Sequence, residues 1–480
     1  MAMRRVSLWD DAAIDKHIHV DRKPSTRIKF TAEDSFSGKT NMLDMSVSMK
    51  ASYLGGLIEV EGSASYLKNR VSSTKQCRMT MKYEAETEYK HVHINELGPV
   101  TYPQVFEQQG ATHMVIGVTY GAKAFMVFDR MTSDEEEKQE IQAQLNVMIK
   151  KIPKMEISGE GKVSLADEEK KKVEGFSCTF YGDFMLKYNP STYEEAVQVY
   201  KELPKLVGEK GGNAVPVKVH LYPLTNLNPK AAKLVREIRV TLVSDAENVL
   251  QELLEAKIRA NDLIVQLTTI KVDYIEEKLT KFQDELDDYT TTLRQNLGKI
   301  LSAIRAGTEE EQTLLKILKF HEESFFSQRE MKKWLDEKDT EIQVLTTHIN
   351  PLCKRPEVSI QPPGPKLDTF ILNSRIDWLY VLNFTSLKYE EPYLSTLSEC
   401  LSMAEFRNME NISVAHHHSI KEEGLPWYKD PRFTERIRSV LDEFESYIGS
   451  YKHIISYKPD PEYQGACFYL YNYGKLYSCK

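Results

Sequence analysis

Few residues in this chain are of a type and spacing that can do covalent chemistry. His416, His417 and His418 form an unbroken run, and His91 and His93 alternate along a stretch that reads as a strand. Metal ligation needs donors that converge from several elements and are held by outer-shell partners, so the run is read as a solvated loop and the pair as an exposed strand edge. Ser37, Gly38, Lys39 and Thr40 look like the tail of a phosphate loop, but Glu33 stands where the first glycine of that motif belongs. Cys77, Cys178, Cys353, Cys400, Cys467 and Cys479 are scattered without a Cys-x-x-Cys pair, which gives neither a zinc site nor a dithiol redox centre. The carboxylates from Asp284 to Asp288 read as the solvated side of a helix. No serine, histidine and aspartate arrangement can be argued from spacing, since the fold assembles such triads. The expectation is a non-enzymatic chain with no catalytic residue, cofactor, small-molecule substrate or metal site.

What the sequence does offer is amphipathic pattern. Over residues 154–165, Met155, Ile157, Gly159, Gly161, Val163 and Leu165 point one way, and Lys154, Glu156, Ser158, Glu160, Lys162 and Ser164 the other. A period of two is that of a strand. Its length matches the roughly 9–11 residues with which a tilted strand crosses a bilayer, although half-buried strands of soluble sheets share the alternation. Over residues 54–67, Leu54, Ile58, Val60, Ala64 and Tyr66 form an apolar face broken by Gly56 and Gly62. Leu54, Leu57 and Ile58 with Glu61 also fit a short amphipathic helix. Upstream of the 154–165 stretch, the acidic residues 134–137 begin a helical pattern that carries Ile141, Leu145, Met148 and Ile152 on one stripe, and Pro153 ends it.

These segments must sit on a larger frame. Apolar content of 41% and charged content of 28% are those of a globular chain, and a net charge of −8 gives no support for nucleic-acid binding. A chain of 480 residues suggests about three domains. No apolar run approaches a transmembrane helix, and the first residues lack the apolar core of a secretory signal. The expectation is cytoplasmic synthesis with reduced thiols, and a leaderless route if the protein acts outside the cell. Residues 1–42 read as polar and irregular. An amphipathic strand follows at 79–89, then a strand apolar on both faces at 111–128 with Gly121 as a bend or bulge, then strands at 176–188 and 214–224. Between these last two lies a helix capped by Ser191 or Thr192 and stopped by Gly208. Residues 1–235 are thus a bent antiparallel sheet with flanking helices. Residues 236–352 carry stripes such as Val272, Ile275, Leu279, Phe282 and Leu286, which predict an antiparallel bundle of four or five helices with turns near Leu267, Gly307 and Ser327. Residues 353–366 are a Pro-rich linker. Residues 367–480 read as a small α/β domain of thioredoxin size: a strand over 370–384, helices near 393–403 and 432–447, and two closing strands.

Thr112, His113 and the Gly121-Ala122 pair in ATHMVIGVTYGAKAFMVF resemble the pattern of the membrane-attack-complex/perforin and cholesterol-dependent-cytolysin superfamily. Taken in order, SYLGGLIEVEGSASYL, ATHMVIGVTYGAKAFMVFD, IKKIPKMEISGEGKVSL, FSCTFYGDF and GNAVPVKVHLYPL closely resemble the stonustoxin and verrucotoxin family. The resemblance implies a pore-forming (MACPF/CDC-like) domain, a focal-adhesion-targeting-like helical bundle and a thioredoxin-like domain without redox cysteines. It also implies oligomerisation with copies of itself or with a homologous partner chain, and insertion of two segments into membrane lipid. By position these carry Leu54, Leu57, Ile58, Val60, Ala64 and Tyr66 in the first, and Ile141, Leu145, Met155, Ile157, Gly159, Gly161, Val163 and Leu165 in the second. Two departures stand out: a start shorter than the family's, which removes an edge strand, and no PRY/SPRY domain before Lys480. They support a competing expectation, a non-lytic soluble scaffold or defence-related protein that keeps the fold and acts through protein partners.

Overall fold

The polar stretch read as irregular contains a strand. α1 (Asp11–Lys16) leads into β1 (Ile18–Thr31), followed by α2 (Phe36–Met42). β1 is an edge strand exposed over most of its length, so it carries no apolar alternation. Pro24 sits at the break in register between Arg22 and Ser25, where its missing donor costs the ladder nothing. The computed structural model describes residues 7–107, 111–133, 136–155, 165–208, 211–231, 237–385, 391–409, 426–449, 451–457 and 465–479. The chain divides into two units, Met1–Glu247 with Gly298–Glu311, and Asn248–Leu297 with Gln312–Lys480.

In the first unit, α3 (Val47–Leu54) and a 3-10 helix at Gly62–Lys68 precede β2 (Gln76–Val92) and β3 (His113–Met131). Then come α4 (Lys138–Lys151), α5 (Asp167–Val173), β4 (Ser177–Gly182), α6 (Tyr193–Leu206) and β5 (Val215–Pro223). The strands pair antiparallel in the order β1-β2-β3-β4, with β5 also on β3. β3 carries both short strands because residues 124–129 pair with β4 and residues 113–121 with β5. At Gly121 the β2 partner slips by one residue, and a Cβ there would lie 2.0 Å from the Ala85 carbonyl oxygen. Only glycine fits this bulge.

β2 departs from the expected half-solvated strand. Arg78, Thr80, Lys82 and Glu84 are buried as fully as Met79, Met81 and Tyr83, because both faces are covered. The apolar face, with Ala124, Met126 and Phe128 of β3, packs under α4 and α6. The face that includes Phe125 and Val127 lies under residues 42–67, where Tyr66 and Leu67 cover it. α4 begins after the acidic run rather than in it, and Pro153 lies in a 3-10 turn at Ile152–Lys154. Thr192, not Ser191, caps α6 in a capping box with Glu195, and Gly208 follows its end at φ +83°.

The helices α7 (Val240–Ile270), α8 (Asp273–Ala306), α9 (Glu311–Glu323) and α10 (Gln328–Cys353) come next, with Lys271 and Gly307 taking positive φ at two of the reversals. In the second unit their stripes meet in an aromatic core where Tyr289 stacks on Phe326 at 4.1 Å and Phe282 lies 4.9 Å from Trp334. Residues 353–366 are more than a linker, since β6 (Val358–Ile360) lies in them and α11 (Pro365–Ile371) starts in them. The strand expected over 370–384 is shorter. α11 takes its start, Asn373 accepts from the Arg375 amide in a side-chain turn, and only β7 (Trp378–Thr385) is extended. α12 (Pro392–Ser402), α13 (Ala404–Asn408), α14 (Pro431–Ser446), β8 (Lys452–Ser456), β9 (Gly465–Asn472) and β10 (Lys475–Cys479) complete the unit. The sheet runs β10-β9-β7-β8-β6, parallel at β8 and antiparallel at β9. The last strand is a hairpin because Tyr473 and Gly474 both take positive φ.

A buried charge cluster joins these layers. Lys338 of α10 pairs with Glu341 at 2.8 Å and with Glu391, which also accepts from Lys278 at 3.1 Å and from Trp334 Nε1 at 3.0 Å. Burial alone would raise the Glu391 carboxyl, but Lys338 and Lys278 outweigh it and hold it below its ordinary 4.5. Its contribution to stability is complete above that value and lost as pH falls through the lower folded one. Glu391→Gln is expected to lower unfolding free energy at neutral pH by about 3 kcal/mol and to flatten the acid limb of the stability curve. Urea unfolding of both proteins across that limb checks this, and parallel curves would contradict it.

Candidate functional site

Two connections of the first unit form the candidate site. Residues 32–75 join β1 to β2 and residues 132–176 join β3 to β4. Strand pairing puts both at one end of the sheet, where Thr31 opposes Thr80, Gln76 opposes Met131 and Ser177 opposes Asp129.

The first connection is held by charge. Arg78 Nε and Nη2 donate to Asp129 at 2.6 and 2.9 Å, and Nη1 donates to Asp34 at 2.6 Å. Asp34 also holds Lys39 Nζ at 2.6 Å, while Lys82 lies 2.7 Å from Asp44 and 3.0 Å from Glu84. Burial would raise the Asp34 carboxyl, yet Lys39 and Arg78 hold it below its ordinary value. Burial and Arg70 push the Lys39 ammonium down to about 7 while Asp34 works the other way. The carboxylate, with Arg78 as a second partner, is the member of that pair held charged. The Ser37-Gly38-Lys39-Thr40 segment is thus the body of α2 with its lysine buried, and not a phosphate loop. Tyr66 stacks on Phe125 at 4.6 Å and donates to Thr80 Oγ1 at 3.3 Å, and burial pushes its phenol up to about 12. The end of α3 rests on α8. A Cβ on Gly55 would lie 2.8 Å from the Gly298 Cα, and Arg305 donates to Ser52 Oγ at 2.9 Å and to the Ser48 carbonyl at 2.8 Å.

The second connection is held by apolar contact. Ile141, Leu145, Met148, Ile149 and Ile152 are buried against β2 and α6, with Leu165 and the half-buried Met155 beside them. Gln142 Nε2 donates to the Arg78 carbonyl at 2.8 Å, and its Oε1 accepts from the Arg78 amide at 3.2 Å. β1 stops at the residue opposite Thr80, so this side chain replaces the missing strand.

Leu54, Val60 and Tyr66 are therefore buried, Ala64 and Ile58 half-buried, and Leu57 exposed. Ile157, Gly159, Gly161 and Val163 lie outside the described residues. Thr112 and His113, 2.9 Å apart between Oγ1 and Nδ1, sit at the far end of β3 beside Pro223, so the motif residues and the connections do not converge. Sequence reasoning missed Asp34, Arg78, Lys82, Asp129 and Gln142. The signal was present as charges at 78, 82 and 84 on one strand face, read as solvated. Among the described residues no helix is long and apolar enough to cross a membrane.

An antiparallel sheet with two helical connections at one end, then helices, then a mixed α/β layer lacking a paired cysteine motif, defines a multidomain α+β architecture. Residues 248–343 match the family described as stonustoxin helical domain, and residues 357–480 that described as thioredoxin-like SNTX domain. Stonustoxin subunit alpha of Synanceia horrida is 33% identical over 478 residues, covering 98% of this chain and 67% of the relative. Subunit beta of the same fish is 36% identical over 403 residues, covering 84% and 57%. A solved stonustoxin structure superposes with a TM-score of 0.73 at 28% identity, over 96% of this chain and 63% of that one. The chain belongs to the stonustoxin and verrucotoxin family, and spans about two thirds or less of the length of these relatives.

Because Arg78 is 3% exposed between two carboxylates, Arg78→Ala is expected to cost about 3–5 kcal/mol of unfolding free energy. Arg27, 54% exposed beside Glu86, is expected to cost under about 1 kcal/mol when changed to alanine. Denaturant unfolding of both variants measures the contrast.

Proposed function

We propose that this chain is a pore-forming, cytolytic protein that assembles on membranes with copies of itself or a homologous chain, and inserts its two connections as β-hairpins. The observation that carries this reading is a second period hidden in the helices. α4 buries Ile141, Leu145, Met148 and Ile149 on its helical stripe, yet Val147 is 55% exposed. In an extended chain Ile141, Ala143, Leu145, Val147 and Ile149 share one face, and Gln142, Gln144, Asn146, Met148 and Lys150 the other, polar but for Met148. Residues 155–165 continue the odd-numbered apolar face. A three-residue turn at 152–154, with Pro153 inside it, would set Ile149 opposite Ile157 and Ala143 opposite Val163.

The first connection behaves likewise. Val47, Met49, Ala51 and Tyr53 alternate with Ser46, Ser48, Lys50 and Ser52, and Met49 is 51% exposed in the folded chain. At Gly55-Gly56 the apolar face changes from odd to even positions, as a two-residue hairpin turn requires. The resulting register sets Tyr53 opposite Ile58, Ala51 opposite Val60, Val47 opposite Ala64 and Lys50 opposite Glu61. One face suits lipid and the other a wet lumen. A few strands from one chain leave sheet edges that lipid cannot satisfy, so closure needs further copies. The names of the relatives as alpha and beta subunits of a toxin support a homologous partner.

The exposed positions give a clean test. Met49→Glu and Val147→Glu are expected to leave folding stability within about 0.5 kcal/mol and to abolish dye release from liposomes. Gln144→Glu, on the lumen face, is expected to keep release. By the same logic Val163→Glu abolishes release and Ser164→Glu does not. Absence of release by the unaltered protein across lipid compositions would overturn the reading in favour of a non-lytic scaffold, and equal loss in both members of a pair would overturn the register.

A further inference from the structure

The first unit gathers histidines at the end of the sheet remote from the two connections. His17 precedes β1, His19 lies on it, His91 lies on β2, and His93 and Glu96 lie in the turn that follows. One ligand atom each from His19, His93 and Glu96 fall within 4.8 Å of one another. His19 Nε2 is 2.7 Å from Glu96 Oε2, and His17 Nδ1 is 3.9 Å from the same oxygen. The rings of His19 and His93 lie edge to face at 4.9 Å. His91 packs against both, stands on Tyr89 at 4.7 Å, and faces Asp21 at 3.6 Å.

Two imidazoles and a carboxylate form a donor set of borderline softness, suited to zinc rather than to calcium or magnesium. Ligands of one tetrahedral zinc ion stand about 3.4 Å apart, so the His19 and Glu96 atoms must part slightly and His93 close slightly. His19 and Glu96 are 45% and 42% exposed, which leaves their rotamers free for that adjustment. We infer that His19, His93 and Glu96 bind a divalent zinc ion, with His17 or water completing the shell. Such an ion fastens the edge strand β1 to the end of β2 across 77 positions of sequence, and clips that close long loops restrict the unfolded chain most. His91 and Asp21 hold the rings in place from outside. The sequence pointed only to His91 and His93, because His19 sits on the strand its pattern concealed. The inference does not depend on membrane insertion.

The test uses untagged, chelator-stripped protein in which His416, His417 and His418 are changed to alanine, so that this histidine run cannot compete for the metal. Calorimetric titration with Zn²⁺ is expected to give one saturable site per chain and a rise in melting temperature. His19→Ala, His93→Ala and Glu96→Gln, all exposed, are each expected to weaken binding at least about tenfold and to remove that rise, with circular dichroism unchanged. Co²⁺ is expected to give visible ligand-field bands without thiolate charge transfer, which separates the site from Cys353 and Cys479. Absence of a saturable site, binding that survives His19→Ala and Glu96→Gln, or a thiolate band would each overturn the inference.

Discussion

The first unit depends on one constraint: over residues 77–85, β2 has no free face. An inner strand with methionines on one side can be roofed by amphipathic helices at little cost. Its other side carries Arg78, Lys82 and Glu84, and these can be buried only if each finds a partner. Asp129 comes from the neighbouring strand, but Asp34 and Asp44 come from the connection that covers them. The two roofs are therefore fastened by different physics. One is held by ion pairs, with Tyr66 set on Phe125. The other is held by the side chains of α4, together with a single glutamine that bonds to the strand backbone.

This difference sets what each roof requires. Apolar burial is non-directional and scales with area, whereas ion pairs need particular partners in particular places. In the ion-paired roof Asp34 holds both Arg78 and Lys39, and Arg78 keeps Asp129 as its second partner. Neither roof owes its helicity to itself. α3 has 8 residues and α4 has 14, lengths at which isolated helices are marginal in water. Contact with the sheet keeps them helical.

How much of this was legible follows from which residues announce their surroundings. β3 was plain because a strand apolar on both faces has one reading, and α6 because Thr192 and Gly208 mark its ends. The long stripes of α8 and α10 admit little but helices packed together. β1 was invisible because an edge strand has no face to hide. The burial of β2 was misread because a charge alternating with an apolar residue looks the same whether water or an aspartate sits above it. In residues 353–366 proline content masked β6, whose three residues are too few to show a period. The candidate site was half legible. The alternation at 155–165 and the mixed pattern at 54–67 stand in the sequence, whereas the alternation of 47–53 and 141–149 emerges only once the fold shows which apolar residues the helices leave outside.

Two apolar side chains of these helices, Met49 and Val147, are left more than half exposed. A helix evolved only to roof a sheet has no reason to place Met49 and Val147 in water, and each such residue taken alone is unremarkable. Together they complete alternating faces on either side of a turn, with the change of phase at Gly55-Gly56 matching the turn length found there. The same glycines serve the folded chain, where Gly55 admits the backbone of Gly298 and Gly56 takes φ +66°. Gly55 and Gly56 thus meet the steric needs of a helix end packed on α8, and the hairpin proposed above would place its two-residue turn on the same glycines. Conditions that both must meet are narrower than either alone, which is why the pattern outweighs the ambiguity of its parts.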